Sequence, residues 1–241
     1  MGGRSHRELV RRAREIVRTG GPSSVAHKAL DVLRLHRRLV VLDVPLAPAR
    51  PRPYDGPGRV SVRRLQDTSD DLARYLHLRP DATMERLRAR LDRGELCCVT
   101  LLDDAFVSSS WGARGGAYVQ YLDCEVEVGR DAGYAYDSYT APLHRGADLV
   151  SRCSDMVRSA LAECGCRRLY GMQLPENTHA NARWERRGYT VLGVARVVGI
   201  GPLRSVFVRP ARSGALPESF VLRPSLRRRA RRAGESVTCM S

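Results

Sequence analysis

Lysine is almost missing from this chain. Of its 41 basic residues only Lys28 is a lysine, and the rest are arginine. That bias suits bidentate phosphate contacts, and a GC-rich genome produces it as readily. No run of eighteen apolar residues occurs, so no membrane-spanning helix is expected. The first twenty residues are basic but hold no apolar stretch long enough for a secretion signal. The Met-Gly-Gly start matches only part of a myristoylation signal, because Ser5 sits one residue early. A cytoplasmic location is the resulting expectation. The 7 cysteines form no C-x-x-C pair, and no two histidines stand at ligand spacing, so no metal site is expected. Reduced thiols packed as small hydrophobes are the expected state. No internal repeat is present.

What the chain does have is arginine, unevenly placed. The net charge of +15 divides into +8 over residues 1–53, +2 over 54–209 and +5 over 210–241. The excess sits on two arms, where it reports on association and not on fold. With 241 residues, 43% hydrophobic and 28% charged, the chain is long enough to bury a sizeable core.

Helical spacing of Leu9, Val10, Ala13, Ile16 and Val17 predicts a basic amphipathic helix over 5–18. Gly20-Gly21-Pro22 ends it, and a second helix carries Val25, Ala29, Leu30, Val32 and Leu33. Residues 38–46 read as a short strand, and the Pro-rich run 47–58 as a linker, which puts a domain boundary there. The extension is thus 1–53, the core 54–209, and the tail 210–241 is expected to be disordered through Arg227–Arg232. Within the core, strand 59–65 is followed by a helix capped by Asp67 or Ser69 and by a helix over 83–93. Residues 95–102 and 106–111 read as a hairpin through Asp103-Asp104, and 118–128 as a further strand of the same sheet.

The stretch Tyr134–Gly193 is the most informative. A strand runs into Pro142, an Arg-Gly loop and an amphipathic helix follow, then a strand, Asn177, a short helix, and Gly188-Tyr189 opening another strand. PLHRGADLV, Pro142 to Val150, and NTHANARWERRGY, Asn177 to Tyr189, resemble two motifs of the GCN5-related N-acetyltransferase (GNAT) family. These are its Pro-x-x-Arg-Gly-x-Gly-x-Gly loop and its Asn-x-x-Ser/Ala, aromatic, Gly-Phe/Tyr ending. The resemblance covers roughly residues 59–209. It implies an α/β fold with a mixed, mostly antiparallel central sheet flanked by helices, here with a basic helical N-terminal extension.

The resemblance further implies a donor site for acetyl-CoA or another acyl-CoA as co-substrate, without a metal. Its diphosphate would lie on the loop and helix start, at Arg145, Gly146, Ala147, Asp148, Leu149 and Val150, where free N–H groups and the helix dipole favour an anion. Asp148 and Val150 stand where the family has glycine or alanine, and Asp148 reads equally well as a helix cap. Pantetheine would pair with the strand holding Tyr136, Ser138 and Thr140, and Asn177 would contact it or order the next helix.

Asp137 is the candidate general base, a solvent-facing or turn carboxylate being the alternative; Tyr139 is a candidate acid, with Tyr136 and Tyr189 as alternatives, because Trp184 stands at the family's tyrosine position. Glu125 and Glu127 share a strand face and either line a cationic amine's site or face water. His144 and His179 sit in loops near the donor site. The leading expectation is an acyl-CoA-dependent N-acyltransferase, an acetyltransferase acting on a small-molecule or peptide amine by direct transfer. Two alternatives remain: an aminoacyl-tRNA-dependent transferase, with tRNA or another polyanion on the basic arms, and a catalytically silent binding module on the same scaffold. Sequence leaves the oligomeric state open.

Overall fold

The computed structural model describes residues 36–47, 54, 56–120, 122–200, 203–211 and 216–225, the side chains of His36, His179, Ile200, Leu203 and Arg204 excepted. The two predicted helices before residue 36 and the arginine run 227–232 lie outside the described residues.

Eight strands form one sheet and three a second. In chain order they are β1 (His36–Pro45), β2 (Val60–Arg64), β3 (Leu96–Leu102), β4 (Ala105–Arg114), β5 (Gly116–Val119), β6 (Cys124–Glu127), β7 (Ala132–Thr140), β8 (Arg168–Gln173), β9 (Thr190–Ile200), β10 (Leu203–Pro210) and β11 (Val221–Pro224). The main sheet runs β10-β9-β1-β8-β7-β4-β3-β2 and the small one β11-β6-β5. Every pairing is antiparallel except β7 with β8. Four helices accompany them: α1 (Ser69–Leu78), α2 (Met84–Leu91), α3 (Leu149–Glu163) and α4 (Thr178–Arg186). None of the described helices is long and apolar enough to cross a membrane.

Local chemistry sets the element ends. Thr68 caps α1 by accepting from the Asp71 N–H, and Thr83 caps α2 by accepting from the Arg86 N–H. The first cap is therefore neither Asp67 nor Ser69, the two expected. Asp103 and Asp104 take φ of 47° and 69°, the double positive-φ turn that matches strand twist in a tight hairpin. Residues 118–128 do not extend the main sheet. They fold back on themselves as β5 and β6, and β6 pairs on its other side with β11. The Gly115-Gly116 pair makes that break: a Cβ at Gly116 would lie 1.9 Å from the Val126 carbonyl oxygen.

Two departures concern the arms. The 38–46 strand, read as part of an outlying extension, is β1, and it lies inside the sheet between β8 and β9. Leu39 and Val41 are fully buried, and Asp43 pairs with Arg168 of β8. The Pro-rich 47–58 segment thus joins two strands of one sheet instead of separating two units. At the other end β11 comes from the expected tail, its Leu222 buried opposite Val126.

The core has two parts, one on each sheet face. Trp111, Tyr75, Tyr134 and Leu72 fill the side under α1; the Trp111 Nε1–H donates to Tyr75 Oη at 2.7 Å. Val157, Leu161, Cys153 and Leu169 fill the side under α3. Gly112 lets α3 lie close, since a Cβ there would meet Val157 Cγ1 at 2.4 Å. Among the described cysteines Cys97, Cys98, Cys124, Cys153 and Cys166 are buried and Cys164 is exposed. Burial pushes the Cys98 thiol up to about 12 and Cys153 to about 11, so neither supplies a thiolate near neutral pH.

Candidate active site

The one parallel pairing of the sheet is incomplete, and the site grows from that. β7 and β8 are in register from Ala132 opposite Arg168 to Ala135 opposite Gly171, and no further. Beyond this point the strands part, leaving backbone groups of β7 without a strand partner on that side. An irregularity begins at the same place. Tyr136 pairs with Trp111 and Tyr139 with Ser109, so β7 carries one residue more than β4 across this stretch, and Asp137 takes φ of 50°.

The bulge changes which side chains face where. Tyr136 and Tyr139, three residues apart, both turn toward the α1 side. Ser138 turns toward α3, where its Oγ lies 3.0 Å from Ser110 Oγ, and Ser154 of α3 donates to the same Ser110 at 3.3 Å. The Tyr136 hydroxyl donates to Glu95 inside the core and its ring packs beside Trp111 and Tyr134. Tyr136, a predicted donor-site residue, is therefore a core residue 8% exposed. The bulge placed it there.

Asp137 is held as tightly. One of its carboxylate oxygens accepts from Arg79 Nη1 at 2.9 Å and the other from Arg90 Nη1 at 2.6 Å. Both oxygens are occupied by guanidinium donors, which makes Asp137 a clamp between α1, α2 and β7 instead of the proton acceptor expected from its strand position. Arg79 also lies 4.6 Å above the Tyr139 ring.

A cleft of about 880 Å³ opens between the end of β7 and the N-termini of α3 and α4. Ser138, Tyr139, Thr140, Arg145, Gly146, Asp148, Leu149, Val150 and Asn177 of the predicted set line it, as does His144. Ala147, also predicted, is exposed in the loop and does not line it. Gly146 has φ of 94°, a conformation only glycine adopts readily, and a Cβ there would meet nothing. Asp148, standing where the family has glycine, has φ of 49°, in the left-handed region that Asp tolerates. The loop path needs no glycine there. Asp148 occupies the cap position of α3, but its carboxylate accepts from the Ser151 hydroxyl and takes no backbone N–H. Asn177 caps α4, its side-chain oxygen accepting from the Ala180 N–H at 3.3 Å.

Two further lining residues were not singled out from sequence: Arg183 and Arg186, which follow Ala180 at steps of three along α4. Steps of three keep residues on one helix face, so the spacing was there to be read. Arg186 is exposed; Arg183 is half-buried, and among the described residues no carboxylate pairs with it. Burial lowers its proton affinity, with the Asp148 charge opposing in part. Arg145, Arg183 and Arg186 against Asp148 give the cleft an excess of positive charge. A narrower pocket of about 20 Å³ adjoins it at Ser138 and Arg183, walled by Ala135, Leu169, Trp184 and Tyr189. Trp184 covers Gly171, whose ideal Cβ would lie 2.4 Å from the indole, and meets Tyr189 edge-on at 4.2 Å. It is packed as a wall. Glu125 and Glu127 lie on β6 in the small sheet and line neither cavity.

No family model matches the chain, and no curated protein matches it. Solved structures do resemble it. A GCN5-related N-acetyltransferase from Kribbella flavida is 13% identical with a TM-score of 0.48, over 76% of this chain and 65% of its own. Another from Sphaerobacter thermophilus is 16% identical with a TM-score of 0.47, over 82% and 59%. AAC(6′)-Iy, solved with a CoA bisubstrate analogue, is 15% identical with a TM-score of 0.44, over 64% and 99%. The chain thus spans less than two thirds of the length of the first two proteins. These likenesses concern the fold alone. The strand–loop–helix–strand order, the lone parallel pair and its parting at Ala135 make this a GNAT-like α/β fold.

Proposed function

We propose that the chain is an acyl-CoA-dependent N-acyltransferase, with acetyl-CoA as the donor. The observation that carries this reading is the arginine-lined cleft at the start of α3, which lies along the stretch of β7 that β8 leaves unpaired. A diphosphate fits the cleft for three reasons. Arg183 is a cation without a carboxylate partner among the described residues, Arg145 and Arg186 stand at the rim, and the 15-residue α3 presents its N-terminus to the same space. Asp148 opposes the anion, but three guanidiniums outweigh one carboxylate.

The donor's thioester arm would enter the gap, where β7 N–H groups left unpaired by β8 are fixed in place and polarise the carbonyl. The amine, having lost its proton to solvent, attacks the carbonyl carbon. The nitrogen gives up one further proton to solvent as the adduct collapses, the C–S bond breaks, and the thiolate leaves to take a proton that its donor regains from solvent. Tyr139 lines the cleft beside this point under the Arg79 guanidinium, and we assign it the proton that the thiolate takes up. Asp137 sets the bulge and takes no proton. Asn177 orders the start of α4 and so aims Arg183 and Arg186.

Calorimetric titration of acetyl-CoA into the full chain tests the reading. Saturable binding that is lost in Arg145→Glu and Arg183→Glu is the expected result. Failure of acetyl-CoA and of longer acyl-CoAs to bind the folded protein overturns it, and charged tRNA becomes the donor to try.

A further inference from the structure

A second cavity lies on the other side of β7. It is small, about 40 Å³, and sits between α1, α2 and the β5–β6 turn. Three of its walls are guanidiniums, from Arg79, Arg86 and Arg90, and two are carboxylates, from Asp81 and Asp137. Both carboxylates are already engaged. Asp81 receives Nε and Nη2 of Arg79, each at 2.9 Å, and Asp137 receives Arg79 and Arg90, one on each oxygen. Arg86 stands against the neutral Gln120 amide, 2.7–3.0 Å from its nitrogens, and among the described residues no carboxylate pairs with it. The pocket therefore holds a surplus of one positive charge and offers no unengaged carboxylate.

Its position relates it to the donor cleft. Asp137 lines this cavity, while the next two residues, Ser138 and Tyr139, line the donor cleft. Consecutive Cα atoms are about 3.8 Å apart. The two spaces are thus separated by little more than the β7 backbone, and Arg79 touches both, through Asp137 and through the Tyr139 ring.

We infer that this cavity is the anchoring subsite of the acceptor, and that the acceptor is an amine carrying a carboxylate a few bonds from its nitrogen. The inference rests on the acyl-transfer reading and deepens it. The volume suits a small group: one water needs about 10–15 Å³ of such space, so about 40 Å³ admits a group of carboxylate size. The chemistry suits it as well, since a carboxylate completes the donors of Arg86 and Arg90, and the planar fork of arginine matches it. The same arithmetic sets the selectivity. An ammonium or a polycationic amine meets three guanidiniums and no available anion, so amines of that kind are rejected. Arg86 is the specificity-determining residue, because it alone of the three is not committed to a carboxylate.

The test uses the full-length chain with acetyl-CoA and matched acceptor pairs: amino acids, their carboxamides, and a linear polyamine. Amidation lowers the basicity of the amine and supplies more free nucleophile, so chemical reactivity favours the amides and a carboxylate preference comes from binding. At least a tenfold advantage in kcat/KM is expected for carboxylates. Arg86→Ala should abolish it, chiefly through KM, with acetyl-CoA affinity unchanged, and Arg86→Lys should restore part of it. A binding arm needs no turnover: ligand-observed NMR of N-acetylated amino acids and their amides with CoA present. Amides or polyamines preferred, a preference that survives in Arg86→Ala, or no carboxylate product bound would each overturn the inference. Loss of acetyl-CoA binding in the wild-type chain would instead sink the acyl-transfer reading, which keeps the two failures apart.

Discussion

Replacing Arg183 by methionine should move stability and donor affinity in opposite directions. The side chain is half-buried, no carboxylate among the described residues pairs with it, and burial lowers its proton affinity. An uncompensated, partly desolvated cation opposes folding. Methionine keeps the length and the helix propensity and removes the charge. The protein without ligand should therefore gain about 0.5–1 kcal/mol, within the range that surface charge changes reach. For a chain of this size that is a rise of roughly 1–4 °C in Tm. Donor affinity should fall, because a charge-assisted hydrogen bond to a phosphate contributes about 1.5–3 kcal/mol. That free energy corresponds to roughly a 10- to 150-fold weaker Kd. The residual affinity should also depend less on salt, since one guanidinium–phosphate attraction is gone. Scanning calorimetry without ligand and titration calorimetry with acetyl-CoA at two salt concentrations measure both. If Tm falls and affinity holds, Arg183 is a packing residue and the cleft's electrostatic logic fails.

Three further outcomes follow from the same geometry. Gly112→Ala should cost about 1–3 kcal/mol in urea unfolding through overpacking against Val157, and Val157→Ala in the same chain should recover part of it. Asp137→Asn should lower stability by about 3 kcal/mol, because Arg79 and Arg90 lose their shared anion, while the pH dependence of kcat keeps its shape; a lost acid limb would restore Asp137 as the base. Hydrogen bonds from Arg63 hold the Asp71 carboxyl below its usual range. Its folded pKa lies below the unfolded one, so the stabilisation is complete above the ordinary carboxylate range, about pH 4, and is lost as pH falls through the depressed value. Asp71→Asn should remove about 1–3 kcal/mol near neutral pH and flatten the acid limb of a stability–pH curve; an unchanged acid limb would refute the assignment.

Much of the fold could be read because local signals and burial agreed. Asn177 and Gly188-Tyr189 mark the two ends of α4, and Asp103-Asp104 turn the β3–β4 hairpin where two aspartates in succession permit positive φ. The site was harder for a reason that Tyr136 shows. Strand alternation places Tyr136, Ser138 and Thr140 on one face, but a single extra residue at Asp137 shifts the phase, and no pattern in YAYDSYT announces it. Residues on other elements were invisible for a different cause. Arg79, at the end of α1, and Arg90, in α2, share a partner, Asp137, that is more than forty residues away, and long-range pairing leaves no periodicity behind. β1 was recognised as a strand, but no sequence feature says which neighbours a strand chooses.

Ribosomal synthesis releases that strand long before its neighbours exist. Asp43 and its sheet partner Arg168 are 125 residues apart, a delay of roughly 6–25 s at about 5–20 residues per second. Through that interval Leu39 to Val44, an apolar β-prone run in which Asp43 is the only charge, has no place to pair. Arg37 and Arg38 stand directly before it, where charge discourages association between nascent chains. The order of synthesis thus leaves β1, the first of the described strands to be made, waiting for β8 and β9, and makes the newborn chain a natural client for a chaperone.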